Sequence, residues 1–150
     1  MSTATMMPFE GTIRTTNTWL KELAEDLGWG DDRQRAYHAL RAVLHALRDR
    51  LRAEEAADLA AQLPMLVRGF YFEGWRPGGK PLKERKREQF LAHIRSEFRN
   101  QPEVDAAEVA GAVFRLLSRH VSSGEIGDVK GSLPEDIRSL CGRREGTGDG

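Results

Sequence analysis

The chain has 150 residues, 39% of them hydrophobic, and 23 Lys+Arg against 23 Asp+Glu give a formal net charge of zero. That length suits one domain or two very small ones packed together. The charge balance excludes a dedicated nucleic-acid coat protein, which is strongly basic overall. No apolar run approaches the roughly 20 residues that a membrane span needs, MSTATMMPFE lacks the basic and apolar regions of a signal peptide, and the single Cys141 excludes an internal disulfide and a multi-cysteine zinc site. The expectation is a cytoplasmic protein.

Residues 1–14 carry no period and are expected to form a flexible arm. A first helix is predicted from residue 15, capped by a side-chain oxygen of Asn17 or Thr18, with Trp19, Leu20, Leu23 and Leu27 at helical spacing and Gly28 as its stop. The strongest period lies in 33–52, where Tyr37, Leu40, Leu44, Leu47 and Leu51 fall on one stripe. An Ala-rich helix over 53–61 precedes one that opens on Pro64, whose missing amide costs nothing at the first position, and that carries Val67, Phe70 and Tyr71. Residues 73–87, EGWRPGGKPLKERKR, hold too much Pro and Gly for a regular element and read as a basic linker. Helical period returns over 88–98, with Phe90, Leu91, Ile94 and Phe98, and over about 104–121, with Ala107, Ala110, Phe114, Leu117 and Val121. Ser122 and Glu125 form the capping-box pattern of a short helix, Pro134 opens a last helix with Ile137 and Leu140, and residues 142–150 are expected to be disordered. No alternating run of useful length occurs, so the fold class is all-α with about eight helices.

Shifting the sequence by 70 aligns residues 35–70 with 105–140 without a gap, and nine of the 36 pairs are identical, among them Glu55/Glu125, Asp58/Asp128, Leu63/Leu133, Pro64/Pro134 and Arg68/Arg138. Two repeats of roughly four helices follow, residues 15–72 and 88–141, packed together across a pseudo-twofold axis because each alone buries only a marginal core. The repeated Glu55, Asp58 and Arg68, with Glu125, Asp128 and Arg138, read first as structural ion pairs bracing two short helices. An enzyme of unknown reaction built on the same set is the third reading of function.

The segments AYHALRAVLHALRDRLRAEEAADLAAQLPMLVRGFYFEGW and AVFRLLSRHVSSGEIGDVKGSLPEDIRSLC resemble the bacterial proteins grouped as domain of unknown function 2267. The resemblance covers about residues 15–141 and implies a small all-helical protein; it implies no catalytic residues.

Two features point to binding. His38, Arg41, His45, Arg48 and Arg52 are spaced 3, 4, 3, 4 on the long helix of repeat 1, beside the Leu stripe, and such a face grips phosphates or acidic partners. The linker adds Lys80, Lys83, Arg85, Lys86 and Arg87 beside Trp75, the mix that single-stranded nucleic acid exploits. The ordinary reading of both is a solvated face with Trp75 packed into the core. Pro and Gly in the linker also suit a hinge. No histidine pair has metal-ligand spacing, and His120 reads as a cation facing its helix's last carbonyls. Cys141, near Arg143 and Arg144, has no base-and-orienter arrangement around it, and no cofactor motif occurs. By segment, residues 34–72 carry +2 and 73–87 carry +4, balanced by −6 elsewhere, so neutrality is a cancellation. The sequence therefore favours a non-enzymatic interaction or scaffolding module meeting another protein or an acidic ligand. A nucleic-acid or phosphate-ligand module is the alternative.

Overall fold

The first helix buries Thr16, Trp19, Leu20, Leu23 and Ala24 and begins well before them. The computed structural model describes residues 8–142, and α1 spans Glu10–Asp26. The expected arm over 1–14 is thus corrected for its last residues, while residues 1–7 lie outside the described part, as do 143–150 of the expected tail. Asn17 and Thr18 are interior to α1, not its cap, and the Thr18 hydroxyl donates to the Arg14 carbonyl at 3.1 Å. The run of Thr obscured this start, because hydroxyl and β-branched side chains weaken helix signals without forbidding a helix. Gly28 ends α1 with φ +72°, a conformation other residues adopt at a cost.

The second helix, α2 (Arg33–Arg48), is capped by the Asp32 carboxylate, which accepts from the Arg35 amide at 3.0 Å. Two short helices follow, α3 (Ala53–Ala60) and α4 (Met65–Phe72). Beyond the linker lie α5 (Arg87–Glu97), α6 (Ala106–His120), α7 (Ser123–Ser132) and α8 (Glu135–Arg138), the last continuing into a 3-10 turn, Ser139–Cys141. Among the described residues the fold is all-α, with eight helices and no strand.

Two helices form the centre. In α2 every residue from Ala42 to Arg48 is buried, and in α6 every residue from Val109 to Phe114. Helix α1 packs on both, α5 packs on both, α4 lies on α1 and α2, and α3 packs against α7. One core results, with Leu40, Leu44, Leu47, Tyr71, Phe90, Ile94, Leu116 and Leu117 fully enclosed. The Tyr71 hydroxyl reaches the Ala56 carbonyl at 2.8 Å, so a polar tip is satisfied inside that core. Arg115 of α6 grips Asp26 at the end of α1 through two bonds of 3.0 and 3.1 Å, the bidentate geometry that fixes one helix against another.

Both prolines sit one position earlier than expected, as N-caps: Pro64 has φ −57° and ψ 152°, and Pro134 has φ −58° and ψ 149°. Arg68 donates to the carbonyls of Ala60 and Leu63 at 2.9 and 3.0 Å. Arg138 donates to those of Lys130 and Leu133, seventy residues on in each case, at 3.0 and 2.8 Å. Each arginine thereby adds a donor at the end of α3 or α7 and in the turn after it, where the Ala60 and Lys130 carbonyls also accept from the amides of Leu63 and Leu133 at 3.0 and 3.2 Å. Ser122 caps α7 by accepting from the Glu125 amide at 3.1 Å. Its own amide donates to Gln62 at 2.8 Å, so a side chain from beyond α3 takes the place of the box glutamate.

Candidate functional site

The basic stripe of α2 divides into parts that face inward and parts that do not. His45 and Arg48 are 7% and 5% exposed. The Nε2–H of His45 donates to the Phe70 carbonyl at 2.6 Å. Arg48 donates through Nη1 to the carbonyls of Tyr71 and Glu73 at 2.6 and 2.7 Å, and through Nε to Asp49 at 3.0 Å. These carbonyls lie at the end of α4, where the Phe70 carbonyl also accepts from the Glu73 amide at 3.3 Å, and side chains of α2 supply the further donors that cap it. The binding role expected of His45 and Arg48 is therefore corrected: both are internal. Arg41 forms ion pairs with Glu73 at 3.4 Å and Glu97 at 3.5 Å. His38 is half-buried with its ring 5.2 Å from Tyr37. Arg52 alone of the five is largely in solvent, near Glu54 and Glu55 at 3.8 and 3.5 Å. Burial, with Arg48 and Arg41 adding to it against the Phe70 bond, holds the His45 imidazole below its ordinary range.

A residue off the stripe matters as much. Arg50 is 4% exposed, donates to the Ala46 carbonyl at 2.8 Å and holds Glu84 of the linker at 2.5 Å. Its guanidinium lies 5.3 Å from the centre of the Phe90 ring. No periodicity marked it, because it sits in the turn after α2 and its partner is 34 residues away.

The linker is consequently a strapped loop. Between its two arginine anchors the Leu82 amide donates to the Asp49 carbonyl at 2.8 Å, and Lys80–Pro81 is a cis peptide. Gly74 and Gly79 take φ +75° and +79° at its bends. Trp75 is half-buried and packs on the core, 5.0 Å from the Phe72 ring, with its Nε1 buried and without a partner among the described residues. Arg87 is drawn out of the loop: its amide donates to Asp136 at 2.7 Å and its side chain to Ser139 at 3.1 Å. Arg76, Lys83, Arg85 and Lys86 are exposed and Lys80 partly so, and among the described residues none of the five joins an ion pair.

The repeated acid–arginine set is corrected as well. Arg68 and Arg138 bind backbone carbonyls, so the expected ion pairs of Arg68 with Glu55 and Asp58, and of Arg138 with Glu125 and Asp128, are not formed. Glu55 instead faces Arg52 and accepts from Ser132 of α7. Packing α3 on α7 gathers the four carboxylates, and burial, then Asp58, Asp128 and Glu55, push the Glu125 carboxyl up. Among the described residues no group of His, Cys, Asp or Glu is arranged to hold a metal ion. His120 bonds Glu22 at 2.9 Å and stacks on Trp19 at 4.8 Å, which replaces the expected role at its helix end. It borders an open groove of about 410 Å³ between α1 and the loop before α4, lined also by Thr12, Thr15, Trp19, Gln62 and Met65. The groove holds none of Glu55, Asp58 or Arg68. Burial pushes the half-buried Cys141 thiol up to about 11, against the pull of Lys130 and Arg138. Arg143 and Arg144 lie outside the described residues.

The family model for DUF2267, an uncharacterized conserved protein, matches residues 16–140. The chain belongs to this family. DUF2267 is an uncharacterised, all-helical bacterial family, and the match runs from within α1 to the 3-10 turn, so both arginine anchors and the strapped loop lie inside it. No curated protein matches the chain. No described helix is long and apolar enough to cross a membrane.

Proposed function

We propose that this DUF2267 protein is a non-enzymatic interaction module of the bacterial cytoplasm, and that the loop of residues 73–86 is its contact surface for an acidic segment of another protein. The observation that carries this is the division of labour among the cations. Arg48 and Arg50 turn inward and strap the loop, while Arg76, Lys80, Lys83, Arg85 and Lys86 are left without ion-pair partners on its outer side. A loop held in one shape loses less entropy on binding, and cations that neutralise nothing internal raise the encounter rate with an anionic partner. The fold that presents it is read as a duplicated four-helix unit, supported by the matching bonds of Arg68 and Arg138 and by the matching proline caps.

Nucleic acid or a phosphate ligand is the second reading. It is weaker because Trp75 packs on Phe72 and the core, so the loop offers no free aromatic platform for stacking. The enzyme reading finds no support in the placement of Glu55, Asp58 and Arg68, since the arginine is occupied elsewhere.

Titration of a labelled Glu-rich peptide and of a single-stranded oligonucleotide of equal charge separates the readings. At low salt the peptide binds more tightly, and the K83Q/R85Q/K86Q triple variant weakens it at least about tenfold, each lost charge being worth on the order of 0.5 kcal/mol, with no change in melting temperature. Peptide binding that is absent in the wild type, or unaltered in the triple variant, removes the proposal. Preference for the oligonucleotide transfers the surface to the second reading.

A further inference from the structure

From Phe9, the residue before α1, the positions Phe9, Ile13, Thr16, Leu20, Leu23 and Leu27 are spaced 4, 3, 4, 3 and 4, a single stripe along the helix. Its later part packs on the core, where Thr16, Leu20, Leu23 and Leu27 are at most 9% exposed. Its first part does not: Phe9 is 55% exposed and Ile13 46%. Met65 and Leu66, at the start of α4, are 55% and 43% exposed, and among the described residues these four are the exposed large hydrophobic side chains. The Leu66 amide donates to the Thr12 hydroxyl at 3.2 Å, which sets the start of α4 against the first turn of α1. The stripe that fastens α1 to the core thus overhangs that core and is widened by α4.

The charges beside the overhang are matched to a second copy of themselves. Glu10 and Arg14 each follow one of the two exposed residues of the stripe, and between Pro8 and Leu20 they are the charged residues. They face each other at 3.9 Å with side chains 41% and 68% exposed, a contact so long and open that it is readily exchanged. A second chain running antiparallel across the stripe brings Glu10 of each copy to Arg14 of the other, while Phe9 and Ile13 of both close the seam. The chain carries no net charge, so no overall repulsion opposes the approach of two copies. A lipid surface fits less well, since helices that lie on membranes carry a surplus of Lys and Arg on their polar face, and here one Arg is balanced by one Glu. Interfaces at the small end of the specific class, under about 1,200 Å² in total, are weak and reversible, and four half-exposed side chains on each copy suit that class.

We propose that this end of the molecule is a self-docking face, on which two copies of the chain form a weak twofold dimer through antiparallel first turns of α1, rimmed by Met65 and Leu66 of α4. The face uses no residue of the loop 73–86, so it stands or falls apart from the acidic-partner reading.

Sedimentation equilibrium of the full chain, from about 1 to 200 µM at low salt, tests this: the wild type passes from monomer to dimer with a dissociation constant on the order of 10–100 µM. I13Q/M65Q, at two exposed positions, weakens the dimer at least about tenfold, with the circular dichroism spectrum unchanged. E10R and R14E each weaken it at least about threefold, and an equimolar mixture of the two restores it, because a chain with two positive charges then meets one with two negative charges. Both single variants break the pair within the helix, so loss of that pair alone does not produce the rescue. If I13Q/M65Q does not fold, the charge variants decide. A wild type that stays monomeric at the highest concentration overturns the proposal, and binding of that monomer to neutral phospholipid vesicles assigns the face to lipid instead. A dimer untouched by I13Q/M65Q, no rescue in the mixture, or a dimer lost in K83Q/R85Q/K86Q overturns it as well.

Discussion

Replacing Arg48 by Gln separates a binding face from an internal brace more sharply than any other single change. The side chain is 7% exposed and makes three bonds, to the carbonyls of Tyr71 and Glu73 and to Asp49. Gln is shorter and uncharged, so it recovers at most one of them. Charge-assisted hydrogen bonds contribute about 1.5–3 kcal/mol each when buried, and removing one partner of a buried ion pair costs about 3–5 kcal/mol because the other is left uncompensated. Asp49 keeps some solvent, at 15% exposure, and can relax, so the lower end of that range, about 3 kcal/mol, is expected. For a domain of this length that corresponds to a fall in melting temperature of about 6–12 °C. Arg41→Gln is the internal control: its ion pairs are longer and its side chain is 27% exposed, so it loses under about 1 kcal/mol. Both are read by circular dichroism during thermal and urea unfolding. A change of under about 0.5 kcal/mol in R48Q, the ordinary size for a surface site, would falsify the assignment of Arg48 to the interior and restore the solvent-facing stripe.

Arg68→Met and Arg138→Met each remove two bonds to the last carbonyls of a short helix, and each is expected to cost about 1–2 kcal/mol; losses that differ by more than about 1 kcal/mol between them argue against equivalent roles. Glu125→Gln is expected to stabilise the protein, by up to about 0.5 kcal/mol, since like charges on neighbouring positions oppose folding. The sign follows from a folded-state carboxyl pushed above its ordinary value by burial and by Asp58, Asp128 and Glu55: it opposes folding at neutral pH, and that opposition is relieved as pH falls through the raised value. A destabilised E125Q contradicts the repulsion. The Cys141 thiol, pushed up to about 11 by burial, stays protonated at pH 8, so alkylation is expected at least about tenfold slower than for a free cysteine thiol; modification at the free-thiol rate shows that the site is open.

The helices were legible because their apolar stripes are long: Leu40, Leu44 and Leu47 of α2 are all fully buried at the positions their spacing assigns. The start of α1 was hidden by a Thr-rich turn. The inward turn of the arginines is hidden from the sequence for a different reason. Spacing assigns a residue to a face of its own helix, but what lies over that face is set by chain far away in sequence. Arg48 and His45 stand on a basic stripe, yet that stripe is roofed by the end of α4 and by the loop. Arg68 was expected to seek carboxylates and instead found carbonyls, because backbone acceptors at helix ends do not show in composition. The loop's cations were visible at once from Lys80 to Lys86; that the same loop is fastened at both ends was not, since its anchors Arg48 and Arg50 belong to another element.

Three of the five lysines, Lys80, Lys83 and Lys86, lie in the loop, and the other two, Lys21 and Lys130, lie elsewhere. Covalent labelling of lysine amines, with and without the Glu-rich peptide and read residue by residue by mass spectrometry, therefore maps the contact surface directly. Protection of Lys80, Lys83 and Lys86 with unchanged labelling of Lys21 and Lys130 is the predicted result. Equal protection of all five, or protection confined to Lys21 or Lys130, contradicts the claim that the strapped loop is where this protein meets an acidic partner.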